Sequence, residues 1–254
     1  MSNLTERHQH ILNKLKREGN VKVLGLCKDL KVSSVTIRKD LKLLEDKELL
    51  FRTHGGGTIS NPYTVDRSVN EKEKIKSVEK ASIGSAAARL IHSNDCILIA
   101  SGTTVLSLAK NIRPQGSLTV ITAALNVATE LIHHPQIEVI QLGGILRKSS
   151  SSVTGIYAEK ILEDFSCTKL FLGVDGIDVE FGLTTTNMME AQLNRKMIEA
   201  TQKTIVLADS SKFGKRGFGK ICGLEDIEQV ITDSGISDHM AKTLMGIGIE
   251  VTIV

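Results

Sequence analysis

Five short stretches place hydroxyls, glycines, carboxylates, an amide or basic groups directly behind a run of apolar residues. They are Ser101-Gly102-Thr103-Thr104, Ala123-Ala124-Leu125-Asn126, Gly143-Gly144 leading to Arg147, Lys148 and a serine run, Asp175-Gly176-Ile177-Asp178, and Asp209-Ser210-Ser211-Lys212. The first suits an anion, because a helix start offers backbone N–H groups and hydroxyls with the helix dipole in support. Arg147 and Lys212 add positive charge, while carboxylates such as Asp175 and Asp209 and the Asn126 amide can accept hydrogen bonds from hydroxyl groups. Together they describe a site for a phosphorylated sugar. Each stretch alone also serves as an ordinary helix cap or tight turn; their shared placement is the argument for a site. His133-His134 is expected to be a solvated or capping pair before Pro135, and the scattered Cys and His residues have no metal-ligand spacing, so neither metal nor cofactor is expected.

The elements that must carry these stretches are short apolar strands alternating with helices. Strands are expected at 96–100, 118–122, 138–142, 169–174, 204–208, 229–232 and 250–254, with helices at 105–111, 125–133, 156–165, 190–201 and 238–245. Continuous apolar strands with intervening helices mean an α/β domain with a doubly wound, mostly parallel sheet covered on both faces. Ligands gather at the carboxyl ends of such strands.

The first 57 residues have a different character. They hold 12 Lys+Arg against 7 Asp+Glu, a net +5, which leaves −2 of the whole chain's +3 for the remainder. Positive charge concentrated in this way favours a polyanion. A helix capped by Thr5 carries Leu4, His8, Ile11, Leu12 and Leu15 on one face and stops at Gly19; a second carries Val23, Leu26, Cys27 and Leu30. A third, opened by a serine cap, has the seam Ile37, Leu41 and Leu44 and turns Ser34, Val35, Arg38, Lys39 and Lys42 away from it. A strand from Leu49 to Arg52 and the glycine-rich His54-Gly55-Gly56-Gly57 read as a wing. A three-helix bundle with a solvated basic face shares part of this pattern, but seam, cap, spacing and wing agree on a helix-turn-helix for a major groove. The expected contacts are Ser34, Val35, Thr36, Arg38, Lys39, Lys42, Arg52, His54, Gly55 and Gly56, with Arg38 able to read a guanine edge and the lysines and Arg52 holding phosphates.

The expected organisation is a winged helix-turn-helix over 1–57, a linker over 58–74 and an α/β sensor and oligomerisation domain over 75–254. The four cysteines form no CxxC pair, and neither an apolar leader nor a run of 18 apolar residues occurs, so a cytoplasmic protein is expected.

The spacing Arg7, Ile11, Leu15, Ser33, then Thr36-Ile37-Arg38-Lys39-Asp40-Leu41 and His54-Gly55-Gly56-Gly57 resembles the N-terminal signature of the DeoR family of bacterial sugar-metabolism repressors, with Glu48 where that family commonly has glycine. From about Ile75 to Thr232, "SGTT", "LGG", "GVDGID", Glu190 followed by Lys196, and "ADSSKFG" are similar to its C-terminal sensor domain, which is related in fold to ribose-5-phosphate isomerase and CoA transferases. The resemblance implies a homo-oligomeric repressor released from operator DNA by a phosphorylated sugar, and adds Glu190 and Lys196 to the effector site. Ala100 stands where many such sensors carry aspartate. The alternative is an active sugar-phosphate isomerase or deaminase. Asp175 and Asp178 are similar to the isomerase's aspartates, but Thr184-Thr185-Thr186 lies where isomerases carry Lys-Gly-Gly, and Arg195 where they carry the catalytic glutamate. An arginine stays protonated and cannot replace that base.

Overall fold

The computed structural model describes residues 5–47, 49–53, 55–59 and 68–254. Leu4, Glu48, His54 and residues 60–67 of the stretch read as linker lie outside the described residues. The chain divides into two compact units, Met1–Val65 and Asp66–Val254.

In the first unit, α1 (Glu6–Glu18) is capped by Thr5, whose hydroxyl accepts from the His8 N–H, and ends at Gly19 in the left-handed region. β1 (Asn20–Lys22) leads into α2 (Val23–Leu30), and Ser33 caps α3 (Ser34–Asp46) by accepting from the Thr36 N–H. β2 (Phe51–Thr53) and β3 (Gly56–Thr58) form the wing hairpin, and β1 pairs with β3 to complete a three-stranded sheet. The wing strand thus starts two residues later than its apolar run indicates. β1 itself was not expected, because three residues show no period and its partner lies over 30 residues away. Ile11, Leu15, Leu26, Ile37, Leu41 and Leu44 are fully or almost fully buried together.

A polar clamp ties α1 to α3. Arg7 donates from Nε to Asp40 Oδ2 at 2.6 Å and from Nη2 to Oδ1 at 2.8 Å, and His8 Nε2 lies 3.1 Å from the same Oδ1. Burial alone would raise the Asp40 pKa, but the hydrogen bonds from Arg7 and His8 outweigh it and hold the carboxyl below its ordinary value.

The second unit opens with α4 (Val69–Glu73) and α5 (Ser77–Ala88), followed by β4 (Cys96–Ile99), α6 (Thr103–Asn111), β5 (Leu118–Thr122), α7 (Leu125–Leu131) and β6 (Ile137–Gln141). The hairpin of β7 (Ile145–Arg147) and β8 (Ser152–Thr154) leads to α8 (Ile156–Leu162), β9 (Lys169–Gly173), β10 (Gly176–Asp178), β11 (Gly182–Thr185) and α9 (Met188–Glu199). β12 (Thr204–Leu207), a short turn over Ser210–Lys212, β13 (Gly219–Cys222), β14 (Gln229–Thr232), α10 (Asp238–Gly246) and β15 (Glu250–Ile253) complete it.

Seven strands form one parallel sheet in the order β15-β14-β12-β9-β4-β5-β6. Alternate residues enter opposite layers: Leu98, Leu170, Leu172 and Val206 pack with α8, α9 and α10 residues, whereas Ile97, Ile99, Phe171, Ile205 and Leu207 pack with residues of α5, α6 and α7. The sheet is therefore covered on both faces, as doubly wound folds require. The β7–β8 hairpin and the small antiparallel sheet β10-β11-β13 were not expected, being short and rich in Gly, Ser and Thr. Residues 69–73, within the span read as linker, are helical because Ser68 caps them by accepting from the Glu71 N–H.

Asp40→Asn is expected to destabilise the first unit by roughly 1.5–3 kcal/mol at pH 7, since it removes charge-assisted hydrogen bonds between the partly exposed Arg7 and a buried carboxylate. The Asp40 pKa is depressed on folding, so its stabilisation is complete above the ordinary carboxylate value and fades as pH falls through the lower folded value. Urea unfolding of the full chain should show the gap between wild type and variant closing on acidification; equal stability at pH 7 would remove the clamp from the fold's supports.

Candidate functional site

On the first unit, α3 buries Ile37, Asp40, Leu41 and Leu44 and exposes Val35, Arg38, Lys39 and Lys42 on the opposite side; Ser34 and Thr36 are half-buried at its start. Thr36 Oγ1 sits 3.0 Å from Ser33 Oγ, so this hydroxyl is already engaged at the cap. Arg52 is exposed but occupied: its backbone N–H donates to Glu45 Oε1 at 2.9 Å and its guanidinium lies 3.6 Å from Glu45 Oε2, which fastens the wing to α3. Gly55 is exposed at the wing turn. Gly56 is not available for contact, because it is buried where a Cβ would fall 1.7 Å from the Val21 carbonyl oxygen. Its role is to let β3 lie against β1.

On the second unit, the carboxyl ends of the parallel strands deliver Ser101 behind β4, Asp175 behind β9 and Asp209 behind β12 to one rim. Two carboxylates organise this rim. Glu190, buried in the first turn of α9, accepts from Ser101 Oγ at 3.1 Å and from Ser152 Oγ at 3.4 Å, with Arg147 Nη2 at 4.0 Å. Asp175 accepts from Lys72 Nζ at 2.9 Å and has Lys212 Nζ at 3.6 Å. Thr185 Oγ1 is 3.3 Å from both Asp175 Oδ2 and Glu190 Oε2, so its single proton serves one carboxylate at a time. Burial opposes ionisation of Asp175, but the charges of Lys72 and Lys212 and the hydrogen bonds from Lys72 and Thr185 keep its pKa below the ordinary value.

The cations are held by their own elements. Asp209 is buried and accepts from the Ser211 N–H at 3.0 Å, capping the turn that carries Lys212. Arg147 donates to Ser150 Oγ and Ser149 Oγ at 3.3 and 3.0 Å. α4 is fastened by the Val69 N–H donating to the Ser149 carbonyl at 2.6 Å, and by Lys80 Nζ donating to the Lys72 and Ile75 carbonyls at 2.5 and 2.7 Å. Burial draws the Lys80 ammonium below the ordinary lysine value, with the Asp209 charge acting the other way. Gly102 caps α6 with its carbonyl accepting from Leu106, and Thr103 and Thr104 are buried in the first turn.

The structure thus brings Ser101, Arg147, Asp175, Glu190 and Lys212 into one network, with Gly102–Thr104 and Asp209 supporting it. Lys196 is not part of it: it lies near the far end of α9 and donates to Glu199 at 2.6 Å. Asn126 lines an open groove of about 570 Å³ with Leu106, Lys110 and His133, and its Oδ1 accepts from the Val127 N–H. Gly143 and Gly144 are exposed; at Gly144, φ +151° and a Cβ position 2.6 Å from the Thr154 carbonyl make glycine the residue that closes the turn into the hairpin. Sequence reasoning missed Lys72, Ser152 and Thr185. The Ser68-Val69-Asn70-Glu71 pattern, a helix-start signature, was the available signal for α4 and hence for Lys72.

Chemically, the rim offers cations and hydroxyls to an anionic, hydroxyl-bearing small molecule. Of the two isomerase-like aspartates, only Asp175 belongs to this network. Asp178 pairs with Arg216 at 2.9 Å and accepts from the Glu180 and Phe181 N–H groups, and Arg195 donates to the Ile221 and Lys220 carbonyls. Ala100 is fully buried in the apolar layer with Leu98 and Ala123.

Residues 7–62 match the family model for the DeoR-like helix-turn-helix domain, and residues 75–234 the one for the DeoR C terminal sensor domain. A putative aga operon transcriptional repressor of Escherichia coli O157:H7 is 37% identical over 98% of this chain and 94% of its own length. The HTH-type transcriptional regulator YulB of Bacillus subtilis (strain 168) is 37% identical over 99% of this chain and 97% of its own. Among solved structures, ribose 5-phosphate isomerase A from Methanocaldococcus jannaschii aligns with 54% of this chain and 55% of that one, at 12% identity and a TM-score of 0.39.

Replacing Lys72 with Met removes the nearest positive charge from Asp175 and is expected to raise the carboxyl's titration midpoint. Carboxyl ¹³C shifts followed by NMR would check it; an unmoved midpoint would show that Lys72 does not hold the carboxylate.

Proposed function

Because this chain belongs to the DeoR family of transcriptional regulators, we propose that it represses a carbohydrate-metabolism operon and that a phosphorylated sugar, bound at the rim of the parallel sheet, releases it from operator DNA. The observation that carries the reading is the pairing of an exposed basic helix face on one unit with a cation-lined strand-end rim on the other. Arg38 has the planar fork that suits guanine O6 and N7, whereas Lys39 and Lys42 are point charges suited to phosphates. Arg52 joins them by exchanging Glu45 for a phosphate. Among the described residues no helix is long and apolar enough to cross a membrane, in keeping with a regulator acting on DNA in the cytoplasm.

In the second unit the sugar's phosphate would take the start of α6, with Ser101, Thr103 and Thr104, and the ammonium groups of Lys72 and Lys212. Asp175 and Glu190 would then accept from the sugar hydroxyls. Release requires that the effector bind the DNA-free state more tightly than the DNA-bound one. The partners that this reading assigns are double-stranded operator DNA, the phosphorylated effector and further copies of the chain.

A gel shift on the DNA upstream of the chain's own gene, run against a panel of sugar phosphates, tests both halves. Arg38→Ala is expected to cost roughly 1–3 kcal/mol on the operator and to relax base preference at one position, while Lys42→Ala weakens all sequences alike and lowers the salt slope by about one. Equal losses on operator and random DNA for both variants would overturn these roles. Lys212→Met is expected to leave operator binding intact and to abolish the response to the effector; an unchanged response would take Lys212 out of the site.

A further inference from the structure

At the edge of the parallel sheet opposite the rim, two thiols meet that stand 71 positions apart in the chain. Cys96 opens β4, and Cys167 stands two residues ahead of β9, the strand that pairs with β4. Both side chains enter the layer that holds Leu98, Leu170 and Met197, and their Sγ atoms lie 2.9 Å apart. The backbone holds each in place. The Thr168 N–H donates to the Cys96 carbonyl at 2.8 Å, while the Cys167 N–H donates to the Ala200 carbonyl at 2.9 Å and the Cys167 carbonyl accepts from the Gln202 N–H at 3.1 Å. Both residues are free thiols, but their surroundings differ: Cys96 is half-buried and Cys167 is buried. Burial, with Cys96 beside it, pushes the Cys167 thiol well above its ordinary value. Cys96 is thus the sulfur that a small oxidant reaches first, and Cys167 is the protonated partner waiting beside it.

We propose that Cys96 and Cys167 form a reversible oxidation site for hydroperoxides, closing to a disulfide across β4 and β9. The Cys96 thiolate attacks the outer oxygen of the hydroperoxide and the O–O bond breaks. The remainder takes up the Cys96 proton and leaves as an alcohol, or as water from hydrogen peroxide, and Cys96 becomes a sulfenic acid. The Cys167 sulfur then attacks the Cys96 sulfur: the S–S bond forms, the S–O bond breaks, and the hydroxide departs with the Cys167 proton as water. Two thiols thus pass two electrons and two protons to one O–O bond, and an external dithiol reverses the change by exchange. With the sulfurs already 2.9 Å apart, closure asks for a side-chain adjustment and no backbone movement. Folding also holds Cys167 at a local concentration that a free thiol does not match, which favours the internal bond over a mixed disulfide. Cys222, by contrast, is buried on β13 with its thiol pushed up to about 12 by burial, and Cys27 belongs to the first unit. No residue of the rim takes part, so the oxidation site stands independently of the regulatory reading.

Non-reducing peptide mapping of the full chain tests the site without DNA or effector. The reduced protein is treated with hydrogen peroxide at the chain's own concentration, and samples are alkylated and digested over time, beside a urea-unfolded control. A peptide joining Cys96 to Cys167, two hydrogens lighter than its separate halves, is expected to accumulate faster in the folded chain than in the unfolded one and to vanish on treatment with dithiothreitol. In Cys96→Ser the linked peptide is lost and Cys167 stays an alkylatable thiol. If Cys96→Ser does not fold, Cys167→Ala gives the second reading, in which Cys96 halts as a sulfenic acid that dimedone traps. Two unreacted thiols in the folded chain, a linkage that forms no faster than in the unfolded control, or Cys96 recovered as sulfinic acid or joined to another cysteine would overturn the proposal.

Discussion

A sheet whose strands all run one way must release every strand at the same edge, and the rest of the second unit follows from that constraint. Each parallel strand needs a crossover to return to the start, so helices fill both faces and the apolar side chains are consumed in two layers. Polar residues that follow a strand have only the rim to occupy. That is how Ser101, Asp175 and Asp209, on strands separated by tens of residues, come to share one surface. The small sheet β10-β11-β13 and the β7–β8 hairpin then wall the rim and supply Thr185, Arg147 and Ser152.

The rim is neutralised before anything binds. Asp175 faces Lys72 and Lys212, and Glu190 faces Arg147 and two serine hydroxyls. An anion entering the rim would have to exchange partners with carboxylates that are already there, and those carboxylates would need new hydrogen-bond donors. Such an exchange moves ammonium groups whose stems belong to different elements, α4 and the turn after β12. Differential binding of that kind is what links site occupancy to a change of state. Proton transfer is a poorer use of the same residues, because a carboxylate held ionised between two ammonium groups is a weak base.

The first unit meets another difficulty, since domains near 60 residues bury a smaller share of their surface than larger ones. Its answer is a compact apolar seam reinforced by the Arg7–Asp40–His8 clamp. The clamp occupies the same helix that presents Arg38, Lys39 and Lys42, so the exposed basic face is set on a helix whose other side is fixed in position.

The sequence by itself determined what depends on neighbours a few residues away. Apolar runs of four to six residues marked the strands of the main sheet to within a residue or two at each end, and the caps at Thr5 and Ser33 with the seam Ile37, Leu41 and Leu44 marked the helix-turn-helix. The strand-end placement of Ser101, Asp175 and Lys212 followed from the same runs. Only the tertiary structure decided which of these groups meet. Lys72 and Asp175 are 103 positions apart, Ser101 and Glu190 are 89 apart, and no local period connects them. Lys196 shares a helix with Glu190 yet points to Glu199, and Gly56, which reads as a wing contact, is spent on the approach of Val21. β1, β7 and β10 are three-residue strands whose hydrogen bonds lie wholly with their partners, so their own residues carry too little pattern to reveal them. Periodicity and capping are local and can be read along the chain; the meeting of charges across a sheet is settled by packing, which brings distant residues together only once the layers have closed.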